Sequence, residues 1–215
     1  MTLALYTTPL SANGRKVLAV AHQLGLAPEI HLVDVYRGEG RSPEFLAINP
    51  SGKIPVLVES DFVATESNAI LIYLCEAHGD SRLWSSEPRA RVTIARWLFW
   101  EAAHWQPALI GVLAPFVGHA LLPDAVPAPA AAPAWGSDAL APLLAELERQ
   151  LATRPFVAGA ELTIADFSVA GMMTYFRAAG FPFPEWPHLG DWYARIEALP
   201  AWRATEAELW SAARG

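Results

Sequence analysis

Residues 5–16 read LYTTPLSANGRK and join an apolar run to a helical pattern. The run has the composition of a buried strand, and the next dozen residues repeat apolar positions at helical spacing. Ser11 stands where the N-cap of that helix is expected, and Asn13 is a second possible cap. The junction carries four polar side chains, Ser11, Asn13, Arg15 and Lys16. A strand that becomes a helix at such a place indicates a candidate binding site as well as a cap.

Strand and helix patterns alternate outward from this junction over residues 1–80. Strands are predicted at LALYTT, EIHLVDV, KIPVLVES and FVAT, and helices at GRKVLAVAHQLGL, SPEFLAIN and ESNAILIYLCEAHG. The order βαβ followed by αββα describes a small sheet with helices packed on it.

Strand signals nearly vanish after the polar segment GDSRLWSSEP. Helices are predicted at PRARVTIARWLFWEAAHWQPALIGVL, DALAPLLAELERQLATR, TIADFSVAGMMTYFRAAG and LGDWYARIEAL. The chain therefore predicts an α/β domain over 1–80 and an all-helical domain over 88–215. Four prolines between Pro123 and Pro133 predict a mobile, partly extended loop after the first of these helices.

Composition excludes several classes of partner. The net charge of -7, with 15 Lys and Arg in 215 residues, argues against nucleic acid or an anionic membrane surface. Ala102–Pro123 lacks charge and is long enough to cross a bilayer, but its histidines, glutamine and prolines argue against a span. The single Cys75 and the scattered histidines predict no metal site, and Cys75 is expected to be a buried thiol. No signal peptide is recognisable, so we expect a cytoplasmic protein.

Three further motifs allow more than one interpretation. In NPSGKIPVL, Pro55 is either an ordinary edge-strand proline or follows a cis bond that turns the Ile54 backbone toward a ligand. In TESNAI, a helix start beside Glu66 is either a plain capped helix or a site for an α-amino-acid group. In LTIADF, Thr163 and Asp166 form a capping box, which we assign to folding.

The segments LYTTPLSANGRKV, GEGRSPEFLAINPSGKIPVL and ATESNAILIYL, in this order, resemble a cytosolic glutathione S-transferase, and the likeness extends over the whole chain. The resemblance is to bacterial, serine-type members of the theta, phi and nu kind. It implies a thioredoxin-like α/β domain followed by an all-α domain. It also implies that glutathione is the co-substrate.

The resemblance implies a set of glutathione contacts. Ile54–Pro55 would pair with the backbone of the glutathione cysteine, and Glu66–Ser67 would hold the γ-glutamyl end. Arg41 and Lys53 would face the glycyl carboxylate. Many relatives carry a His-Lys pair after Gly-Glu, whereas this chain has Gly40 before Arg41, so we expect a weakened or rearranged glycyl contact.

The resemblance also implies how the thiol is activated. Ser11 would donate a hydrogen bond to the sulfur, and Asn13 and Arg15 would add to the positive field at the helix start. Either Ser11 or Asn13 could be the main donor. Lys16 is expected to be a solvated surface charge, and Tyr6 is expected to pack in the sheet.

An apolar co-substrate pocket is expected beside this site. Its candidate residues are Leu10, Trp105, Leu109 and Phe116, with the proline-rich loop as a lid. The other tryptophans are expected to be core residues.

The predicted activity is conjugation of glutathione to a small hydrophobic electrophile. One alternative is glutathione-dependent reduction of disulfides or peroxides at the same site. Another is a binding protein with this fold and no turnover. The resemblance further implies a homodimer.

Overall fold

Strands and helices alternate in the first part of the chain, as predicted. The computed structural model describes residues 3–8, 10–79, 82–121, 124 and 126–205. The strands are β1 (Leu3–Thr7), β2 (Glu29–Leu32), β3 (Val56–Glu59) and β4 (Phe62–Ala64), and the helices are α1 (Ala12–Gln23), α2 (Pro43–Ile48) and α3 (Ser67–His78). The sheet order is β2-β1-β3-β4, with β1 parallel to β2 and antiparallel to β3, and β3 antiparallel to β4.

The second strand, Glu29–Leu32, is shorter than the segment EIHLVDV that was predicted to form it. EIHLVDV ends its sheet pairing at Leu32, because the Asp34 carboxylate accepts hydrogen bonds from the backbone N–H groups of Tyr36 and Arg37. These bonds cap a single 3₁₀ turn over Val35–Arg37. The chain therefore leaves the sheet before the apolar run has ended.

The second part of the chain is helical, as predicted. Its helices are α4 (Pro88–Trp100), α5 (Gln106–Leu121), α6 (Ala141–Leu151), α7 (Ile164–Met172) and α8 (Pro187–Ala198). The predicted long helix contains a π-helical turn, Glu101–Trp105, which joins α4 to α5. Residues 126–134 form neither helix nor strand, in agreement with the proline pattern, and Pro123 lies outside the described residues.

Backbone contacts divide the chain into two units. We call Met1–Glu87 with Ile196–Gly215 the sheet unit, and Pro88–Arg195 the helical unit. In the sheet unit, Val33, Phe45 and Val56 form a buried cluster against the sheet. The side chains of Trp97 and Trp192 are fully buried in the helical unit, as expected for core tryptophans. The side chain of Trp105, a candidate pocket residue, is also fully buried. No described helix is long and apolar enough to cross a membrane.

Asp166 is the buried carboxylate that organises the start of α7. One oxygen accepts hydrogen bonds from the backbone and hydroxyl of Thr163, at 2.9 and 3.1 Å, which completes the predicted capping box. The other accepts from the Val157 N–H and the Trp192 indole N–H, both at 2.9 Å. Burial raises the pKa of Asp166 from 3.8 to about 6, and the four hydrogen bonds act in the opposite direction.

We predict that Asp166→Asn lowers the free energy of unfolding by about 2 kcal/mol at pH 7, because the Asn amide turns a donor toward buried donors. The raised folded-state pKa means that the wild-type carboxyl binds its proton more tightly in the folded than in the unfolded protein. The contribution of this proton to the free energy of unfolding therefore grows as the pH falls. The difference between wild type and variant should therefore widen by about 1 kcal/mol between pH 7 and pH 5.

Urea unfolding at both pH values measures this difference. Asp191→Asn, at an exposed carboxylate on α8, is the matched control. Its free energy of unfolding should equal that of the wild type at both pH values. A difference for Asp166→Asn that stays constant between pH 7 and pH 5 would contradict the assignment.

Candidate functional site

The segments that were predicted to form the binding site lie at one edge of the sheet. Tyr6 near the end of β1 pairs with Val56 at the start of β3, because the two strands run antiparallel. The same relation holds between the start of β3 and the end of β4. The loop that leads to Ser11, the Ile54–Pro55 dipeptide and the turn to Glu66 therefore lie at the same edge. Tyr6 stacks on His31 with ring centroids 4.7 Å apart, and so packs in the sheet as expected.

Ser11 caps α1, and its hydroxyl oxygen accepts a hydrogen bond of 2.9 Å from the Gly14 N–H. This bond uses an acceptor site of the hydroxyl and leaves its proton able to donate to a ligand. Gly14 is required here, since a Cβ on it would collide with the Thr7 hydroxyl. The cap and the donor functions are therefore compatible in one side chain.

The starts of α1 and α3 are joined by a side-chain hydrogen bond. The Ser67 hydroxyl donates to Asn13 Oδ1 over 3.3 Å. Two helix N-termini thus lie side by side, and their free N–H groups create a positive potential that favours an anion such as a carboxylate or thiolate.

Glu66 adopts an uncommon backbone conformation. Its φ of 63° and ψ of 110° lie where side-chain-bearing residues are rarely found. Such a conformation costs about 1–3 kcal/mol and tends to occur at functional sites. Glu66 is exposed and immediately precedes α3, so its carboxylate is available to a ligand at this edge.

Asn49 holds the loop before β3, a role that the sequence analysis did not assign. Its side chain is buried, its amide donates to the Lys53 carbonyl over 2.7 Å, and its oxygen accepts from the Ser51 N–H over 3.1 Å. The Lys53–Ile54 peptide is trans, so the Ile54 N–H lies on the side opposite to the carbonyl that Asn49 holds. The Asn-Pro-Ser-Gly sequence, typical of a turn, is the signal that could have identified Asn49.

The Ile54–Pro55 bond is cis, as the second interpretation of NPSGKIPVL requires. The Ile54 N–H makes no hydrogen bond to another backbone group within the described ranges. Ile54 is half-buried and Pro55 is buried.

Two exposed cations flank the turn before Ile54. Lys53 is exposed, and Arg41 Nη1 lies 3.3 Å from the position that a Cβ on Gly52 would occupy. Gly40 is buried and its backbone lies against that of Gly52. The structure thus brings Arg41 next to the residue that precedes Lys53.

The prediction that Lys16 is a solvated charge was wrong. Its side chain has no exposed surface, because α1 is enclosed on nearly every face between residues 16 and 21. The neighbouring Arg15 lies over the Trp202 ring, 4.6 Å from its centroid, and donates to the Thr205 hydroxyl over 3.1 Å. Periodicity identifies one apolar face of a helix, but it does not reveal a chain segment that covers another face.

The helical unit contains a cavity of about 550 Å³ between α5 and the proline-rich segment. Phe116 lines it together with Gly111 and residues 129–134, and none of the described residues contributes a charged side chain to its wall. Trp105 and Leu109 do not line this cavity, and both side chains are fully buried. The Trp105 indole N–H donates a hydrogen bond to the Val169 carbonyl over 3.1 Å. These two side chains belong to the core of the helical unit.

Leu10 is half-buried in the loop after β1, and Cys75 is buried as expected. Within the part of the chain that the structure describes, no group of three or more His, Cys, Asp or Glu side chains could hold a metal ion.

Known proteins are similar to this chain in sequence and in architecture. Residues 5–82 match the family model described as glutathione S-transferase, N-terminal domain, and residues 129–195 match the corresponding C-terminal domain. Human glutathione S-transferase theta-2 is 34% identical over 207 residues, which cover 93% of this chain and 82% of the relative. Glutathione S-transferase 3 of Zea mays is 34% identical over 214 residues, which cover 96% and 94%.

A solved structure, glutathione transferase F2 from Populus trichocarpa, superposes with a TM-score of 0.84 at 25% identity and covers 97% of this chain and 99% of that one. The thioredoxin-like and all-α arrangement is therefore confirmed. The chain belongs to the glutathione S-transferase family.

Proposed function

We propose that this transferase binds glutathione along the sheet edge, ionises its thiol with the Ser11 hydroxyl, and transfers the thiolate to an apolar electrophile. The observation that carries the proposal is the Ser11 hydroxyl at the start of α1, which caps the helix and still has a proton to donate. The cytoplasm, where thiols are kept reduced, is the proposed location.

The proposed glutathione contacts follow the chemistry of each segment. Ile54–Pro55 pairs with the backbone of the glutathione cysteine, because the Ile54 N–H faces away from Asn49. Glu66–Ser67 holds the γ-glutamyl end, since a carboxylate and a helix start suit an ammonium and a carboxylate together. Arg41 and Lys53 bind the glycyl carboxylate.

One hydrogen bond can supply most of the free energy that is needed to lower the pKa of the glutathione thiol. Lowering a thiol pKa from about 8.5 by about two units requires about 2.7 kcal/mol of preferential thiolate stabilisation. A charge-assisted hydrogen bond from Ser11 supplies about 1.5–3 kcal/mol, and the α1 start with Asn13 adds positive potential. In the reaction, the thiol releases its proton to solvent and the Ser11 hydroxyl donates a hydrogen bond to the resulting thiolate. The sulfur then forms a bond to carbon while the leaving group departs with the electron pair of the bond that breaks.

We predict that Ser11→Ala raises the pKa of the bound glutathione thiol by at least about one unit, because the sulfur loses its donor. An ultraviolet titration of the thiolate in the complex measures this value. Ser42→Ala is the matched control, since Ser42 caps α2 through a bond of 3.2 Å to the Phe45 N–H and both variants lose one helix cap.

Equal thiol pKa values in wild type and Ser11→Ala would transfer the donor role to Asn13 or to the helix start. If the wild-type protein does not bind glutathione, a role as a binding protein without turnover would replace the proposal.

The cavity in the helical unit is the proposed site of the electrophile. Its described wall is mostly apolar and includes no charged side chain, and its volume of about 550 Å³ lies in the range that holds a small organic molecule. Phe116 provides the largest side chain of this wall among those described, and the proline-rich segment covers the opposite side. We also propose that Leu10, in the loop that carries Ser11, contacts the electrophile.

We predict that Gly111→Leu lowers kcat/KM for a bulky apolar electrophile about tenfold, because the added side chain fills the cavity. The space beside Gly111 is open, so the variant should fold. Ala114→Leu, at an exposed position of the same helix outside the cavity wall, is the matched control. Steady-state kinetics should show the same KM for glutathione in all three proteins, and an unchanged KM for the electrophile in Gly111→Leu would reject the cavity as its site.

We propose a homodimer in which the sheet unit of one subunit contacts the helical unit of the other. Apolar side chains are exposed on both units. Phe62 and Val63 lie on the edge strand β4, and Val92 and Phe99 share one face of α4 with 69% and 75% of their surfaces exposed. Apolar groups of this size at the surface favour association.

We predict that the wild-type protein sediments as a dimer at micromolar concentration, and that Phe99→Lys sediments as a monomer because a charge replaces an apolar contact. Ile110→Lys, at an exposed apolar residue of α5, is the matched control and should remain a dimer. Analytical ultracentrifugation distinguishes the two states, and a monomeric wild type would overturn the proposal.

A further inference from the structure

The backbones of Gly40 and Gly52 contact each other next to Arg41 and Lys53, the two cations of the site. The position that a Cβ on Gly40 would occupy is 2.5 Å from the Gly52 carbonyl oxygen, and the reciprocal distance from Gly52 to the Gly40 carbonyl oxygen is also 2.5 Å. Side chains are excluded at both positions by the opposite backbone. The Val35 side chain, 3.1 Å from the same point on Gly40, closes the remaining space.

This contact lies between the two residues proposed to bind the glycyl carboxylate. Arg41 follows Gly40 directly, and Lys53 follows Gly52 directly. Arg41 Nη1 extends over Gly52, 3.3 Å from the position of a Cβ there. How closely the two glycines approach therefore sets the distance between the Arg41 backbone and the Lys53 segment, from which the guanidinium reaches over Gly52.

The Gly52 side of the contact is rigid. Gly52 has a φ of +67°, and its N–H donates to the Asn49 carbonyl over 2.9 Å. The buried Asn49 side chain also holds the Lys53 carbonyl. A Cβ on residue 40 would consequently push the short 3₁₀ turn Glu39–Arg41 and this loop apart.

We propose that the Gly40–Gly52 contact is a positioning element for substrate selection: it holds the Arg41 guanidinium where it can bind the glycyl carboxylate of glutathione. The inference rests on the proposed function of Arg41 and Lys53. A guanidinium binds a carboxylate through two parallel hydrogen bonds, so its contribution depends on orientation as well as on charge. The contact thereby selects the tripeptide over γ-glutamylcysteine, which has no glycyl residue.

Gly40→Ala tests the proposal by selectivity. We expect kcat/KM for glutathione to fall about tenfold through KM, the loss typical of a weakened charge-assisted hydrogen bond, while kcat and the value for γ-glutamylcysteine stay within about twofold of wild type. Gly136→Ala is the matched control, because a Cβ there meets no atom within 4 Å. An equal loss for both thiols, or Gly40→Ala values equal to those of Gly136→Ala, would overturn the proposal.

A double-mutant cycle with Arg41→Gln separates positioning from loss of structure. Arg41→Gln alone should reduce the preference for glutathione about tenfold, and Gly40→Ala should cause no further loss in that background if Gly40 acts through Arg41. Additive losses would contradict the inference. Arg41→Gln leaves both glycines in place, so it also tests the carboxylate contact if Gly40→Ala fails to fold.

The proposed function and this inference fail differently. A wild-type protein that neither binds nor uses glutathione contradicts the function itself. A wild-type protein that uses glutathione and γ-glutamylcysteine equally well contradicts the glycyl contacts of Arg41 and Lys53 and the positioning role that depends on them, while the activation of the thiol by Ser11 still stands.

Discussion

The antiparallel pairing of β1 with β3 is the constraint on which the rest of the site depends. Because Tyr6 pairs with Val56, the chain leaves β1 and enters β3 at the same edge of the sheet. The pairing of β3 with β4 brings the start of α3 to that edge as well. A shift of the register by one residue would exchange the buried and exposed faces of the strands and separate these segments. The transferase site is therefore a product of strand register more than of any single side chain.

Local signals predicted most of the fold. The strands and helices follow from apolar spacing and turn residues, and the capping box at Asp166 follows from a pair of residues three positions apart. Ser11 could be assigned because an N-cap is a local feature. These interactions span a few residues, so they can be read along the chain.

Contacts between distant segments could not be predicted. Lys16 is buried because α1 is enclosed on nearly every face, and Trp105 is a core residue because α7 packs against its ring. The approach of Gly40 to Gly52 depends on how two loops fold against each other. A glycine in a loop sequence is compatible with a turn, with flexibility or with a backbone contact, and only the folded structure distinguishes these cases.

The wall of the apolar cavity has a thermodynamic consequence. Residues 129–134 are proline and alanine only, and neither residue type has rotamer freedom to lose when a molecule binds. A molecule bound against residues 129–134 would order no side chain of that segment, which would lower the entropic cost of binding. The shape of this side of the cavity is set mainly by the backbone, so a change in the length of the segment would alter the shape of the cavity more than exchanges among small side chains would.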